Sequence, residues 1–171
     1  SDKVRSQRGM ILSLLRKRAP DSELIAQMCT HYGAPPLERL KPVDSGKCIL
    51  CGLCTRACAE LSVGAISTVN RGVTKEVATP YHDESPVCVG CGSCASVCPT
   101  DAIPLTETAD TRTIWGKTFT LVRCTHCGAV IGTAEELALA AQKTGEEPEK
   151  LCERCRKAAL AQVLAHTYGD Q

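Results

Sequence analysis

Twelve of the thirteen cysteines in this 171-residue chain fall into four tight groups, and Cys29 stands alone. The groups are Cys48, Cys51, Cys54 and Cys58; Cys88, Cys91, Cys94 and Cys98; Cys124 and Cys127; and Cys152 and Cys155. Thiolates at such short spacings are ligands for metal ions and iron–sulfur clusters. Disulfide frameworks are typical of small secreted chains with even cysteine counts, so the pattern indicates metal chemistry.

The two four-cysteine groups repeat one another at a shift of forty positions, so that CILCGLC returns as CVGCGSC. Each reads C-x2-C-x2-C-x3-C, the run of [4Fe–4S] sites in which the fourth cysteine ligates the cluster of the other half. Zinc is disfavoured here because zinc sites typically use two C-x2-C pairs. The spacing predicts two clusters with crossed ligand sets: Cys48, Cys51, Cys54 and Cys98 for the first, and Cys88, Cys91, Cys94 and Cys58 for the second.

Glycine and proline residues around these runs suit close backbone approach to a cluster. Gly52, Gly90 and Gly92 remove side chains where the backbone must come near. Pro99 follows Cys98 as the motif expects, whereas Ala59 occupies the equivalent place after Cys58. The first half also carries a three-residue insertion after its fourth cysteine, which we expect to reshape the local turn without removing a ligand.

Short helices and strands must position the cysteines. Residues 4–18 are predicted to be helical, and a second helix should start at Pro20-Asp21-Ser22 and end at Gly33, with Cys29 as a structural thiol on its apolar face. Val69, Val73 and Val77, with a turn at 70–72, predict a small hairpin. The predicted fold class is α+β: a pseudo-twofold dicluster ferredoxin core of bacterial type, with N-terminal helices and a C-terminal four-cysteine metal-binding appendage. We predict boundaries at residues 1–40 for the helices, 41–110 for the core and 111–171 for the appendage.

The C-terminal third carries the remaining two cysteine pairs. The strand-like TFTLVRCTHCG leads to Cys124 and Cys127, a Thr133/Glu136 capping box opens a helix, and Cys152 and Cys155 begin a last helix through Tyr168. Two C-x2-C pairs with twenty-four residues between them fit a structural zinc site, but the same four thiolates could hold a third [4Fe–4S] cluster. Spacing favours zinc and context favours iron, so both stay open. His126 is expected to be an exposed residue between the thiols and not a ligand.

Composition and missing motifs narrow the function classes. Twenty Lys and Arg balance nineteen Asp and Glu, so no global field draws in nucleic acid or an anionic membrane. No apolar run approaches the ~20 residues of a membrane span, and no secretion signal is recognisable, which indicates a cytoplasmic protein. Neither G-x-G-x-x-G after a strand nor a Walker loop is present, and His31, His82 and His166 are isolated. We therefore expect no catalytic residues in this chain.

The stretches RGMILSLLRKRAPDSELIAQMCTHYGAP, CILCGLCTRACAELSVGAISTVNRGV and SPVCVGCGSCASVCPTDAI resemble a known segment. It is the two-cluster ferredoxin segment of iron–sulfur subunits of respiratory complex I, NAD-linked formate dehydrogenases and iron-only hydrogenases, and the likeness covers about residues 4–106. In those relatives a Cys- and His-rich segment and a [2Fe–2S] domain precede the two clusters. Only Cys29 and His31 precede the first run here, so the resemblance implies a relay piece that obtains both its electron input and its catalytic domain from partners.

The chain also has a more general resemblance to another group of electron-transfer subunits. The chain is similar to the small electron-transfer subunits of tungsten-dependent class II benzoyl-CoA reductases, and this similarity implies an additional cluster beyond the ferredoxin pair. The predicted function is an electron-carrier subunit of a larger oxidoreductase of anaerobic metabolism. Its partner would be a tungsten- or molybdenum-pterin enzyme, such as a benzoyl-CoA reductase or formate dehydrogenase, or a hydrogenase, with a flavin- or ferredoxin-type electron donor.

The sequence gives less support to two alternative functions. A freely diffusing ferredoxin is often strongly acidic, which assists steering to many partners, whereas this chain has a formal net charge of +1. A redox-sensing regulator with a zinc ribbon would need a basic patch to contact nucleic acid. The segment from Cys124 to Cys155 instead holds six acidic residues: Glu135, Glu136, Glu146, Glu147, Glu149 and Glu153.

Overall fold

A computed structural model describes residues 1–43, 46–61 and 63–168. The chain forms two compact units, the first made of residues 1–88 and 92–104, and the second of residues 89–91 and the chain from Leu105 onward. The short segment 89–91, which contains Cys91, thus belongs to the second unit although the rest of its cysteine run belongs to the first. The three-part division predicted from the sequence stays a prediction. No helix within the described ranges is long and apolar enough to cross a membrane.

The first unit opens with two packed helices, α1 (Asp2–Arg18) and α2 (Glu23–Tyr32). The Ser22 side chain accepts a hydrogen bond from the backbone N–H of Ile25 at the start of α2, and Gly33 ends the helix in the left-handed conformation. Leu12 and Ile25 are buried between the helices, and the Cys29 thiol donates to the carbonyl of Leu12 at 3.5 Å. Both predicted helices are confirmed, and Cys29 is half-buried; its structural role stays a prediction.

Each four-cysteine run contributes a short helix to the first unit: α3 (Leu53–Glu60) and α4 (Ser93–Ser96), which pack together. The two helices differ in length for a local reason. Ala59 lets α3 continue through Cys58, whereas Pro99 cannot donate a helical hydrogen bond and disfavours helical backbone at the residue before it. The departure of the first half from the motif therefore changes the helix around its fourth cysteine.

A small antiparallel hairpin completes the first unit, with β1 (Ser67–Val69) paired to β2 (Glu76–Ala78). The predicted hairpin is confirmed, but its connection is longer than a turn at 70–72. Gly72–Thr74 forms a single 3₁₀ turn, which leaves the side chain of Val73 81% exposed. The valine periodicity was thus a correct guide to the strands and wrong about Val73.

The second unit is built on a four-stranded antiparallel sheet in the order β3-β4-β5-β6. The strands are β3 (Leu105–Glu107), β4 (Thr111–Ile114), β5 (Lys117–Arg123) and β6 (Val130–Thr133). β4 and β5 are joined by the two-residue turn Trp115-Gly116, in which both residues have positive φ, as a type I′ hairpin requires. Ile114, Phe119 and Leu121 are buried and form the apolar core of this unit.

Two helices follow the sheet, α5 (Ala134–Thr144) and α6 (Glu153–Tyr168). The predicted capping box at the start of α5 is present: the Thr133 hydroxyl accepts from the N–H of Glu136, and the Glu136 carboxylate accepts from the N–H of Thr133. The last helix also spans the predicted residues. The mixed helix and sheet architecture agrees with the predicted α+β class.

Candidate metal centres

The eight cysteines of the two repeated runs differ in exposure, which defines how each run presents its thiols. Cys54 and Cys94, the third cysteine of each run, are buried in the first turn of α3 and α4. Cys51 is exposed, and the other five are half-buried: Cys48, Cys58, Cys88, Cys91 and Cys98. The described chain contains all thirteen cysteines and no disulfide, so the thiols keep their ligand chemistry.

The fourth cysteine of each run receives an equivalent backbone hydrogen bond. The N–H of Ala65 donates to Cys58 Sγ at 3.2 Å, and the N–H of Ala102 donates to Cys98 Sγ at 3.2 Å. These alanines belong to the Ala-Ile pairs that close the two halves, and the inserted residues before Ala65 do not remove the bond. Amide donors aimed at cysteine sulfur favour the thiolate and are typical surroundings of iron–sulfur clusters, so the donor set fits the predicted cofactor.

The loop between the first and second cysteine of each run uses left-handed backbone at the same position. Leu50 has φ 56° and Gly90, forty residues later, has φ 67°. The Leu50 N–H donates to Cys48 Sγ at 3.4 Å, so the strained residue directs an amide at sulfur. Sequence reasoning missed Leu50, although its alignment with Gly90 in the repeat was an available signal. Gly52 and Gly92 also have positive φ and each precedes the helix of its run.

Burial and hydrogen bonding act in opposite directions on the thiols. Burial raises the pKa of Cys54 above its ordinary value. At Cys98 burial also acts to raise the pKa, but the backbone N–H groups of Ala102 and Thr100 outweigh it and lower the pKa overall. The hydrogen bonds around Cys98 therefore favour its thiolate form, which is the form that binds metal.

Within the second unit, the sheet contacts residues 89–91, which come from the second cysteine run. The ring of Phe119 packs on Gly90, Arg112 donates to the Gly90 carbonyl at 2.9 Å, and the Thr133 hydroxyl donates to the Val89 carbonyl. Phe119 and Thr133 are nearly inaccessible to solvent. The sequence carried no local signal for these three residues, because they lie 22 to 44 positions from the residues that they contact.

The two C-terminal pairs converge on one point. Cys124, Cys127, Cys152 and Cys155 have all their sulfur atoms within 4.8 Å of one another, and Cys127 Sγ lies 3.6 Å from Cys152 Sγ. Cys124 is buried and Cys127 is exposed, so the group opens to solvent on one side. His126 is exposed, as expected, and its Nδ1 lies 3.6 Å from Cys155 Sγ, outside the four-thiol group.

Backbone geometry after the first pair explains how the chain holds these thiols. Gly128, at φ 72°, reverses the chain so that its N–H donates to the Cys124 carbonyl at 2.9 Å, and the Cys124 N–H donates to the Ala129 carbonyl at 2.7 Å. The backbone N–H of Cys152 is the largest influence on Cys124 and, with the N–H groups of Cys127 and His126, lowers the pKa of that thiol to about 6. The neighbouring thiols, first of all Cys152, raise the pKa of Cys155.

Paired cysteine runs of this spacing, with amides directed at their sulfur atoms, define an iron–sulfur protein of the dicluster ferredoxin class. The sequence matches the family of 4Fe-4S dicluster domains over residues 47–102 and again over residues 87–132. The two matches together span residues 47–132, which is 86 of the 171 residues. The chain belongs to this family.

The chain is similar to parts of a hydrogenase subunit and of putative formate dehydrogenases. The NADP-reducing hydrogenase subunit HndD of Solidesulfovibrio fructosivorans is 41% identical over 63 residues, which cover 35% of this chain and 11% of that protein. A putative formate dehydrogenase of Staphylococcus haemolyticus is 37% identical over 94 residues, covering 50% of this chain and 9% of the relative. One from Staphylococcus aureus strain USA300 is 35% identical over 65 residues, covering 35% and 6%.

The chain thus spans about a tenth or less of the length of these relatives. The predicted resemblance to the ferredoxin segment of hydrogenases and formate dehydrogenases is confirmed. The likenesses to complex I and to benzoyl-CoA reductase subunits stay predictions.

Proposed function

We propose that this chain is an electron-transfer subunit that relays single electrons between a donor and the catalytic subunit of a larger oxidoreductase. One observation carries the proposal: two cysteine runs of identical spacing, whose fourth cysteines both accept a backbone N–H at 3.2 Å. The same amide donor at Cys58 and at Cys98 supports a ligand role for both runs. The relay, and not a catalytic step, is the chemistry for which its residues are suited.

The proposed ligands follow the crossed pattern of the motif. Cys48, Cys51, Cys54 and Cys98 would hold one [4Fe–4S] cluster, and Cys88, Cys91, Cys94 and Cys58 would hold the other. Gly52, Gly90, Gly92 and Pro99 shape the backbone around them. When bound, such clusters each exchange one electron at potentials set by charge, hydrogen bonds to sulfur and burial. The amides of Leu50, Ala65 and Ala102 are the groups of this chain that would tune those potentials.

Partner binding is supported by apolar side chains that the described chain leaves in solvent. In α1, Ile11 is 58% exposed, and in α6, Leu160 and Val163 are 58% and 62% exposed. Similar proteins include a hydrogenase subunit and a putative formate dehydrogenase. We therefore propose a hydrogenase, or a tungsten- or molybdenum-pterin enzyme such as a formate dehydrogenase or benzoyl-CoA reductase, as the partner, and a flavin- or ferredoxin-type protein as the donor.

The proposed setting is the cytoplasm of an anaerobically metabolising cell. A chain with thirteen cysteines and no disulfide among its described residues suits a reducing compartment. The C-terminal four-cysteine group would hold either a third [4Fe–4S] cluster or one zinc ion in addition to the ferredoxin pair.

The test is anaerobic purification of the chain from its native host, with iron, acid-labile sulfide and co-purifying proteins determined together. We expect at least about eight irons and eight sulfides per chain, bleaching of the visible absorbance by dithionite, and a stoichiometric cofactor-bearing oxidoreductase subunit. The purified complex should reduce or oxidise its substrate with an artificial electron carrier. Full cluster content in a chain without any bound subunit would favour a freely diffusing ferredoxin, and fewer than about four irons would refute the relay.

A further inference from the structure

The four C-terminal thiols lie at the spacing that one shared metal ion requires. Four thiolates bound tetrahedrally to zinc at about 2.3 Å stand about 3.8 Å from one another. In this chain all four sulfur atoms lie within 4.8 Å of one another, and Cys127 Sγ and Cys152 Sγ are 3.6 Å apart. The volume between the sulfur atoms therefore suits a single ion.

A [4Fe–4S] cluster needs a wider site. Each of its four thiolates binds a different iron, so the distance between two thiolates exceeds that at a single ion by one iron–iron separation. The chain offers an internal comparison. Across residues 1–43, 46–61 and 63–168, no other group of three or more potential ligands reaches the close spacing of the C-terminal four. Cys48, Cys51, Cys54 and Cys98, which all belong to the first unit and which we propose as ligands of one cluster, do not form such a group.

The backbone fixes the two C-terminal pairs against each other. The Thr125 N–H and hydroxyl both donate to the Lys150 carbonyl, at 2.9 and 3.2 Å, which joins the residue after Cys124 to the segment before Cys152. The Cys155 N–H donates to Cys152 Sγ at 3.5 Å at the start of α6. These bonds hold the two pairs together at the observed sulfur spacing, which is that of the smaller occupant.

We infer that Cys124, Cys127, Cys152 and Cys155 hold one tetrahedrally coordinated zinc ion and not a third [4Fe–4S] cluster. Zinc has no redox chemistry, so the site is a structural clamp that joins the end of β5 to the start of α6 outside the electron path. This inference concerns a separate set of ligands and does not rest on the proposed relay.

The experiment compares the anaerobically purified wild type with a Cys152→Ser/Cys155→Ser variant and with Cys29→Ser, a control at a thiol outside all four groups. Zinc, iron and acid-labile sulfide are counted per chain. We expect about one zinc in the wild type and the control, none in the double variant, and the same iron and sulfide content in all three. A loss of about four irons and four sulfides in the double variant, with no zinc in the wild type, would overturn the inference.

X-ray absorption at the zinc edge of the wild-type protein tests the site without any substitution, in case the double variant fails to fold. Four sulfur neighbours at about 2.3 Å would support the inference. One iron per chain without sulfide at this site, or zinc bound by oxygen and nitrogen, would overturn it. If zinc is present with four sulfur neighbours while the chain holds no iron–sulfur cluster, the clamp stands and the relay proposed above fails.

Discussion

The ring of Phe119 lies on the backbone of Gly90, and a Cβ atom at position 90 would stand 2.6 Å from two of its ring carbons. Position 90 also has φ 67°, a conformation that costs other residues about 1–2 kcal/mol. The equivalent Leu50 bears the backbone strain alone at φ 56°. Left-handed backbone therefore does not by itself require glycine in this repeat; the only Phe of the chain makes glycine necessary at position 90.

A Gly90→Ala substitution should destabilise the protein more than Gly52→Ala. Gly52 has a similar φ of 74°, but a Cβ there would meet only the Thr55 hydroxyl at 3.8 Å, an ordinary contact. We expect Gly52→Ala to lower the free energy of unfolding by about 1 kcal/mol, from strain alone. Gly90→Ala should add about 1–3 kcal/mol of overpacking. Urea denaturation followed by circular dichroism measures both, and equal losses would show that Phe119 moves aside freely.

The crossed ligand pattern can be tested by two double variants that remove the same number of cysteines. Cys48→Ala/Cys98→Ala takes both ligands from one proposed cluster and should leave about four irons per chain in the ferredoxin part. Cys48→Ala/Cys58→Ala takes one ligand from each cluster and should leave almost none. Iron and acid-labile sulfide analysis of anaerobically purified protein distinguishes the two results. The reverse order of iron content would mean that each run holds its own cluster.

Local patterns were enough to predict most elements of this chain, because their causes lie within a few residues. Ser22 and Gly33 delimit α2, and the Thr133/Glu136 box opens α5, each through hydrogen bonds that span one helical turn. The cysteine groups were readable for the same reason, since a metal ion or cluster demands thiols at short spacings.

The packing of the sheet on segment 89–91, within the second unit, was beyond sequence reasoning. It depends on Phe119, Arg112 and Thr133, which come near Val89 and Gly90 only because the sheet folds back on them. Nothing in their immediate neighbours distinguishes them from other strand residues. The spacing of the C-terminal thiols belongs to the same class: the sequence offers two pairs, and only folded geometry tells how far apart their sulfur atoms lie.

Thr133 has two roles that one hydroxyl performs together. It donates to the Val89 carbonyl and accepts from the Glu136 N–H at 3.1 Å. Thr133→Val keeps the shape but loses both bonds, and we expect a loss of about 1–2 kcal/mol in the free energy of unfolding, as for a deleted helix cap. Thr133→Ser keeps the hydroxyl and should retain most of the stability.

A separate measurement tests whether the Thr133 hydroxyl also positions segment 89–91. If the hydroxyl holds this segment, Thr133→Val should also shift the reduction midpoint or the paramagnetic resonance spectrum of a cluster, whereas Thr133→Ser should not. Lower stability with unchanged spectra and potentials in Thr133→Val would restrict the hydroxyl to its capping role.

Arg18 connects the end of α1 to the hairpin of the first unit. Its guanidinium donates to the Val73 carbonyl at 3.0 Å and to the Lys75 carbonyl. Because a planar guanidinium reaches two carbonyls at once and an ammonium is a single point charge, Arg18→Lys should keep part of the stability that Arg18→Met loses. We expect Arg18→Met to lower the free energy of unfolding by about 1–3 kcal/mol.

Lys3→Met, at an exposed position of the same helix, is the matched control and should change the free energy of unfolding by less than about 0.5 kcal/mol. Equal urea midpoints for Arg18→Met and Lys3→Met would mean that α1 is held to the hairpin without this side chain.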